Sequence, residues 1–419
     1  MTTNGGVIAA AAFVVLAAGN PAGGQVLSFD DRPSVKFGES VRLDVTARFQ
    51  GEALDRSAES GADTGFDLAR RRIGLEGRVT PYVQFEVERE LGASETWRDV
   101  FVNLRPVRAI QLRAGQFKMP FSLDELTSAT DLDFIYRSRA ADMLAPGRSQ
   151  GLAVHGRLAS RRLGYDVGLF RRDGESARFG TNPGAGQTGA GRLTVRLFDG
   201  RRARSSGSKQ SDQARHRRSI GALEVGVNAT SGDVPEGRYS LRGRLVSRHT
   251  FFAPLFVNGR RLRVGGDADW RPGPFGVRAE LLRVEDQRID QGLRGETVPP
   301  LRSEGWYVTG TWAVAGRRAM KHAQASHLLA GFNGLELATR IERLAFFSVA
   351  QNEPALRNPR AARLARIDEQ AWTFGVNWTL NRWTRVQFNA IREELHDLAN
   401  GAPVYAPAWT RVCRVQFAM

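Results

Sequence analysis

The chain has 419 residues, 42% of them hydrophobic and 25% charged. That balance excludes an intrinsically disordered chain, and a single cysteine excludes a disulfide scaffold or a cysteine-built metal centre. Lys and Arg number 60 against 44 Asp and Glu, a formal net charge of +16, and only Lys36, Lys118, Lys209 and Lys321 are lysines. Such an arginine excess fits anion or nucleic-acid binding, and it fits a codon bias toward arginine equally well, so the positions of the arginines must decide.

The N-terminus opens with an uncharged apolar run, Val7 to Gly19, followed by small residues at Asn20-Pro21-Ala22-Gly23-Gly24. A run of this length is too short to span a bilayer as a helix and reads as an export signal over 1–24. The leading MTTNGG lacks the usual basic residue, and the alternative is a buried N-terminal helix. Beyond residue 24 no apolar stretch approaches the ~20 residues of a membrane helix, so any crossing must be made by strands.

Period-two alternation then runs through the chain. From Arg70 to Val79, Ile73, Leu75 and Val79 oppose Arg70, Arg72, Glu76 and Arg78. From Val83 to Glu90, Val83, Phe85 and Val87 oppose Gln84, Glu86, Glu88 and Glu90. Trp372, Phe374, Val376, Trp378 and Leu380 alternate with polar residues, Asn381-Arg382 turns, and Val386, Phe388 and Ala390 repeat the pattern. In the last segment Cys413, Val415 and Phe417 share one face. Alternation at two residues per period predicts strands with one apolar and one polar face.

A soluble sandwich would alternate in the same way. Three features favour a transmembrane barrel. The polar faces are heavily charged, as a water-filled lumen allows. Trp97, Trp306, Tyr307, Trp372 and Trp383 fall near expected strand ends, as an interfacial girdle requires. Tight connections at Thr80-Pro81, Arg105-Pro106, Arg271 to Pro274 and Asn381-Arg382 alternate with long polar ones at Gly51 to Gly65, Arg201 to Arg218, Asp286 to Arg302 and Gln351 to Asp368. The expected fold is therefore all-β: a transmembrane antiparallel barrel over 25–419, with ~25 residues per strand and connection if there are about 16 strands.

One connection, 118–149, carries apolar residues of its own, among them Phe121, Phe134, Ile135, Tyr136 and Met143. Burying them requires this third loop to fold inward against the barrel wall, where it would narrow the pore. Enzymatic motifs are weak. Gly184 to Gly189 matches G-x-G-x-x-G but lies in a glycine-rich loop with no helix after it. His322 and His327 lack a carboxylate or cysteine partner nearby, and Asp124-Glu125 shows no matched acid–base arrangement. No cofactor or metal is expected.

The stretch QFKMPFSLDELTSATDLDFIYR, followed by APGRSQGLAV, resembles the phosphate-selective porin O and P family. GFDLARRRIGLEG, WRDVFVNL, VNGRRLRVGGDADWRPGPFGVRAELLRVE and the terminal WTFGVNWTLNRWTRVQFNA and TRVCRVQF resemble it too. The resemblance covers nearly all of the chain after the signal. It implies a homotrimeric, sixteen-stranded outer-membrane barrel that passes small anions such as phosphate, with the third loop as constriction.

Residue by residue, the resemblance implies channel-floor arginines at Arg42 and Arg70, a constriction aspartate at Asp99, and a late-loop arginine at Arg137. It also implies an arginine ladder at Arg238, Arg242, Arg244 and Arg248. Arg72 shares the polar face with Arg70. Two departures remove positive charge: Ala69 replaces the first of an arginine pair, and Glu125 stands where a phosphate-specific member has lysine. They point to a general anion preference. Two other readings stay open: a wider channel for organic solutes or polyphosphate, and a soluble basic β-protein binding nucleic acid, which would need aromatics clustered beside its basic patches and no export signal. The first reading has outer-membrane lipid and small anions, and no nucleic acid, as its partners.

Overall fold

The computed structural model describes residues 25–29, 32–38, 40–56, 63–92, 96–171, 173–174, 186–198, 221–239, 246, 255–316, 334–348, 366–397 and 402–419. The expected signal, 1–24, lies outside them, as do His322 and His327.

A short hairpin, β1 (Gln25–Phe29) and β2 (Pro33–Phe37), precedes the long strands. These are β3 (Val41–Arg56), β4 (Asp63–Val79), β5 (Val83–Glu90), β6 (Trp97–Val107), β7 (Ile110–Lys118), β8 (Arg148–Leu158), β9 (Leu163–Phe170) and β10 (Thr188–Phe198), then β11 (Ala222–Tyr239), β12 (Leu255–Arg271), β13 (Phe275–Arg288), β14 (Val298–Gly316), β15 (Gly334–Phe347), β16 (Ile367–Thr379), β17 (Thr384–Asp397) and β18 (Ala402–Ala418). All belong to one 18-stranded sheet, and setting aside the β1–β2 hairpin leaves sixteen strands, each antiparallel to its neighbour. The ring closes where β18 pairs with β3, from Thr410 opposite Arg56 to Ala418 opposite Arg48. The remaining length of that edge, Val41 to Asp44, is taken by β2. Met419 and Ala47 seal the seam with reciprocal backbone hydrogen bonds of 2.9 and 3.1 Å. Among the described residues closure leaves no long sheet edge unpaired, which the interior of a bilayer demands.

Burial separates this barrel from a soluble sandwich. Ile73, Leu152, Leu169, Val227, Leu281 and Val415 are exposed on the outer face, while the largest fully buried side chains include Arg261, Arg263, Arg288 and Arg414 on the inner face. A soluble fold would reverse those two sets, whereas a barrel immersed in lipid places apolar side chains outside and polar ones within. Val415 and Phe417 face outward as expected, with Arg414 and Gln416 buried between them.

The strands are longer than the sequence pattern suggested. β3 continues through Gly51 to Arg56, and β13 and β14 take in Asp286 to Arg288 and Val298 to Arg302. The expected division into one end of tight turns and one of long loops is corrected. The tight turns at 80–82, 108–109, 272–274 and 380–383 share one end, but β10 and β11 hand the chain to 199–220 at that same end, and β14 and β15 do so for 317–333. Arg201 to Arg218 therefore joins strands at the tight-turn end; its own residues lie outside the described ones. The girdle is also partly corrected. Tyr307 is 2% exposed and points inward, whereas Trp270, Phe275, Trp312 and Trp378 face outward near the tight turns, with Phe275 stacked on Trp312 at 6.3 Å. Alternation in β14 fixes this: Trp306 and Tyr307 are neighbours, so only one of them can face lipid. Thr188 and Gly189 of the glycine motif stand in β10 and pair with β9 and β11, so no helix follows it.

Candidate functional site

The connection 119–147 contains two short helices, α1 (Leu123–Leu126) and α2 (Arg139–Leu144), capped by the Ser122 and Ser138 hydroxyls. Its apolar residues Phe121, Ala140 and Leu144 pack with Leu282, Val284, Leu301, Leu344 and Phe346 of the facing strands. Ile135 packs with Ile391 and Val412.

Polar contacts hold the rest of this connection to inner-face side chains of β12, β13, β15 to β18 and β3. The Leu123 amide donates to Glu280 at 2.8 Å, and the Ile135 amide donates to Asn389 at 2.7 Å. Tyr136 Oη donates to Glu52 at 2.9 Å. Asn377 and Arg385 donate to the carbonyls of Asp133 and Leu132 at 2.8 and 2.9 Å. Arg139 is buried and ion-paired with Glu369 at 2.7 Å, while its amide donates to Glu342 at 2.5 Å. Arg263 donates to the Leu144 carbonyl at 2.9 Å and also holds Asp173, which Arg261 grips at 2.5 Å. A buried charge is tolerated only when paired and hydrogen-bonded, and the Arg139–Glu369 and Arg261–Asp173–Arg263 pairs supply such partners.

Three of the expected site residues come together. Arg70 donates to Gln50 at 2.7 Å and lies within electrostatic range of Arg72, Arg137, Arg414 and Glu52. Among the described residues Arg70 has no carboxylate within ion-pair distance, in contrast to its neighbours. Arg72 is held by Glu90 at 2.6 Å and Glu88 at 3.3 Å. Arg414 is held by Glu52 at 3.0 Å. Arg137 pairs with Glu125 at 3.0 Å and donates to the carbonyls of Asp124 and Thr127.

Asp99 stands beside this group, bound by Arg148 at 2.5 Å. Arg42 does not join it. It lies on the first turn-side residues of β3, half exposed, and bonds Asp44 at 2.7 Å. Arg242, Arg244 and Arg248 lie outside the described residues; Arg238 is the penultimate residue of β11, opposite Phe256, its side chain not described. Between them Val246 is placed: its amide donates to Glu393 at 2.8 Å.

Sequence reasoning missed Arg414, Glu52, Arg139 and the Arg261–Asp173–Arg263 group. Alternation in TRVCRVQF puts Arg414 opposite in sense to Cys413 and Val415 and could have found it. Glu52 falls within Gly51 to Gly65, whose composition marks a connection, not a strand. Partners such as Arg139 and Glu369 are far apart in sequence, and no local pattern joins them.

The chain is similar in structure to Vibrio cholerae OmpT, at 11% identity and a TM-score of 0.56, covering 91% of this chain and 98% of that one. It is also similar to an anion-selective porin from Comamonas acidovorans, at 10% identity and 0.54, covering 90% and 100%. A third similar structure is Pseudomonas putida OprB, at 9% identity and 0.52, covering 90% and 94%. At such identities these likenesses establish the fold. No curated protein matches the chain by sequence. The family model for phosphate-selective porin O and P matches residues 41–417, from the first residue of β3 to the penultimate residue of β18, and with that the chain belongs to this porin family.

Proposed function

We propose that this outer-membrane porin passes small anions, phosphate among them, by passive diffusion, and that selectivity comes from a few inner-face arginines at the level of 119–147. Family and fold indicate a channel rather than an enzyme. The observation that carries the reading is Arg70. It is an inner-face guanidinium bonded to Gln50 and free of a carboxylate among the described residues, grouped with Arg72, Arg137 and Arg414. An unneutralised guanidinium beside a narrowed path lowers the barrier for anions and raises it for cations, and its planar donors suit phosphate oxygens.

In this reading the connection 119–147, packed on the inner face, is the constriction, Asp99–Arg148 frames it, and the segment bearing Arg238, Arg242, Arg244 and Arg248 leads anions toward it. The chain is exported by residues 1–24 and works as a homotrimer in the outer membrane, without cofactor or nucleic acid. Reversal potentials in planar bilayers under chloride and phosphate gradients test the proposal. Anion preference that falls in Arg70→Gln supports it, and a cation-selective or unselective wild-type channel overturns it.

A further inference from the structure

The outer face of the barrel is not evenly convex. Across β3 to β12 it forms a concavity of about 1950 Å³, well above the ~300–1,000 Å³ of a small-solute site. Its walls are Leu75, Phe85 and Val87 on one side and Leu262 on the other. Its floor runs over Gly151, Gly168, Gly189 and Gly191 between Leu152, Val167 and Leu169. Leu152, Val167 and Leu169 are each more than half exposed.

The rim at the end away from the tight turns is cationic. Arg71 of β4 pairs in register with outward Phe49. Arg89 of β5 sits 5.2 Å over the Trp97 ring, which lines the groove. Arg171, just past β9, lines it directly. Elsewhere on the outer face arginines are neutralised in place: Arg302 by Glu285 at 3.0 Å and Arg283 by Glu304 at 3.6 Å. Arg71 and Arg171 have no such carboxylate partner among the described residues. The far wall is balanced, with Asp233 opposite Arg260 in register, so the excess positive charge lies over β4 to β9.

We infer that this groove seats the acyl chains of a phosphorylated glycolipid of the outer leaflet, its phosphates held by Arg71 and Arg171. The inference rests on the membrane position of the barrel and not on anion conduction. The short turns at 80–82, 108–109, 159–162, 272–274 and 380–383 outnumber the longer connections 199–220 and 317–333 at their end and mark it as periplasmic, which puts the cationic rim at the outer leaflet. Guanidinium groups pair with phosphate through two parallel hydrogen bonds, and a tryptophan belongs at the boundary between chains and headgroups. Small residues along the floor leave depth for chains without any unpaired backbone, because the strands beneath remain fully paired.

The test uses the full chain refolded in detergent and mixed with purified lipopolysaccharide, read by native mass spectrometry and by trimer migration on gels. Wild type binds. Arg71→Gln/Arg171→Gln loses about twenty-five-fold in affinity, about five-fold per charge. Gly189→Leu/Gly191→Leu keeps every cation and fills the floor; an added Cβ meets nothing closer than 3.8 Å at either position, so folding is preserved while binding falls. Arg283→Glu/Arg302→Glu binds as wild type does, and dephosphorylated glycolipid binds wild type no better than the Arg71→Gln/Arg171→Gln variant binds the intact lipid. Absence of binding to wild type, equal binding of phosphatidylglycerol, or groove variants that break up trimers while leaving lipid binding unchanged would overturn the inference, the last by making the groove a contact between copies. Loss of lipid binding with anion selectivity intact separates this inference from the conduction reading.

Discussion

Arg137 Nε stands 3.0 Å from a Glu125 carboxylate oxygen, and the Lys118 amine lies 3.8 Å from the same carboxylate. The acidic residue that departs from the family pattern is thus not a bare negative charge in the pore. It is divided between two cations, and Arg137 is correspondingly turned onto α1, where it also donates to the Asp124 and Thr127 carbonyls. The local balance of Lys118, Glu125 and Arg137 is one net positive charge.

Neutralising that carboxylate should therefore strengthen anion preference. Glu125→Gln leaves Lys118 and Arg137 in place and raises the local charge by one, and the amide can still accept from Arg137. A several-fold rise in the chloride-to-potassium permeability ratio is expected from reversal potentials, since a unit charge at ~8 Å and an effective dielectric of ~20 is worth about 2 kcal/mol before salt screening. An unchanged ratio would place Glu125 away from the ion path. Glu125→Lys should do less well than its extra charge suggests, because three cations would then compete for the α1 carbonyls.

The attachment of 119–147 to the wall should depend on the Arg139–Glu369 pair at 2.7 Å. Removing one partner of a buried pair strands the other, at ~3–5 kcal/mol. Glu369→Ala should thus loosen α2 from β16 and appear as added noise and a larger mean conductance in single-channel records. The barrel's heat-modifiable gel shift should change little, because strand pairing does not involve this side chain. A quiet channel of unaltered conductance would show that the packing of Phe121 and Leu144 suffices to hold the connection.

Acid should act at Asp173, which lies beyond the end of β9 and outside the spanning strands. Burial pushes its carboxyl upward, but Arg263 and Arg261 outweigh burial and hold it below the ordinary range. A depressed folded pKa means that the stabilisation is fully present above the unfolded value, ~3.9, and is lost only as pH falls through the folded one. The clamp joining Asp173, Arg263 and the Leu144 carbonyl should hold from pH 8 down to about 4, begin to weaken there, and fail only as pH falls through the depressed folded value below it. Current noise recorded against pH should rise only in that acid range for wild type, and Asp173→Asn should be noisy throughout. Noise rising already near pH 6 in wild type would assign the transition to another group.

The barrel was legible because its signal is local. Strands such as β5 and β16 declare two faces within eight to thirteen residues, and the 119–147 connection stands out by its phenylalanines. What alternation cannot say is which charged residue cancels which. Arg72 and Arg70 look alike in ARRRIGLEG, yet Glu88 and Glu90 of the adjacent strand neutralise one, while among the described residues the other bonds neutral Gln50. That difference arises from register: Arg72 faces Glu90 directly across β4 and β5, while Arg70 lies past the last paired residue of β5. Arg137 and Glu125 are separated by enough chain that only the turn between α1 and α2 brings them together. Charge inventories read from sequence therefore overcount the arginines that can act on an ion.

The same distinction separates useful charges from idle ones, and Arg70 and Arg42 give the contrast. Both were expected on the channel floor from the family pattern, and both sit on inner-face positions of adjacent strands. Arg42 is half exposed at the wide tight-turn mouth and already bonded to Asp44; water and salt screen it within ~8 Å. Arg70 is more enclosed, lies beside Arg72, Arg137 and Arg414, and has a neutral partner. Arg70→Glu should lower the anion-to-cation permeability ratio at least ten-fold, since it reverses a charge that acts through a poorly screened medium. Arg42→Glu should change it less than two-fold, and Arg70→Lys should keep most of the selectivity while weakening phosphate block of chloride current, because an ammonium lacks the planar pair of donors. The ranking must also survive 1 M salt, where the Debye length shrinks to ~3 Å and charges in open solvent fall silent first. If Arg42→Glu matched Arg70→Glu at low salt and both effects vanished together at high salt, selectivity would come from the summed surface charge of the mouth, and the group around Arg70 would have no special part in it.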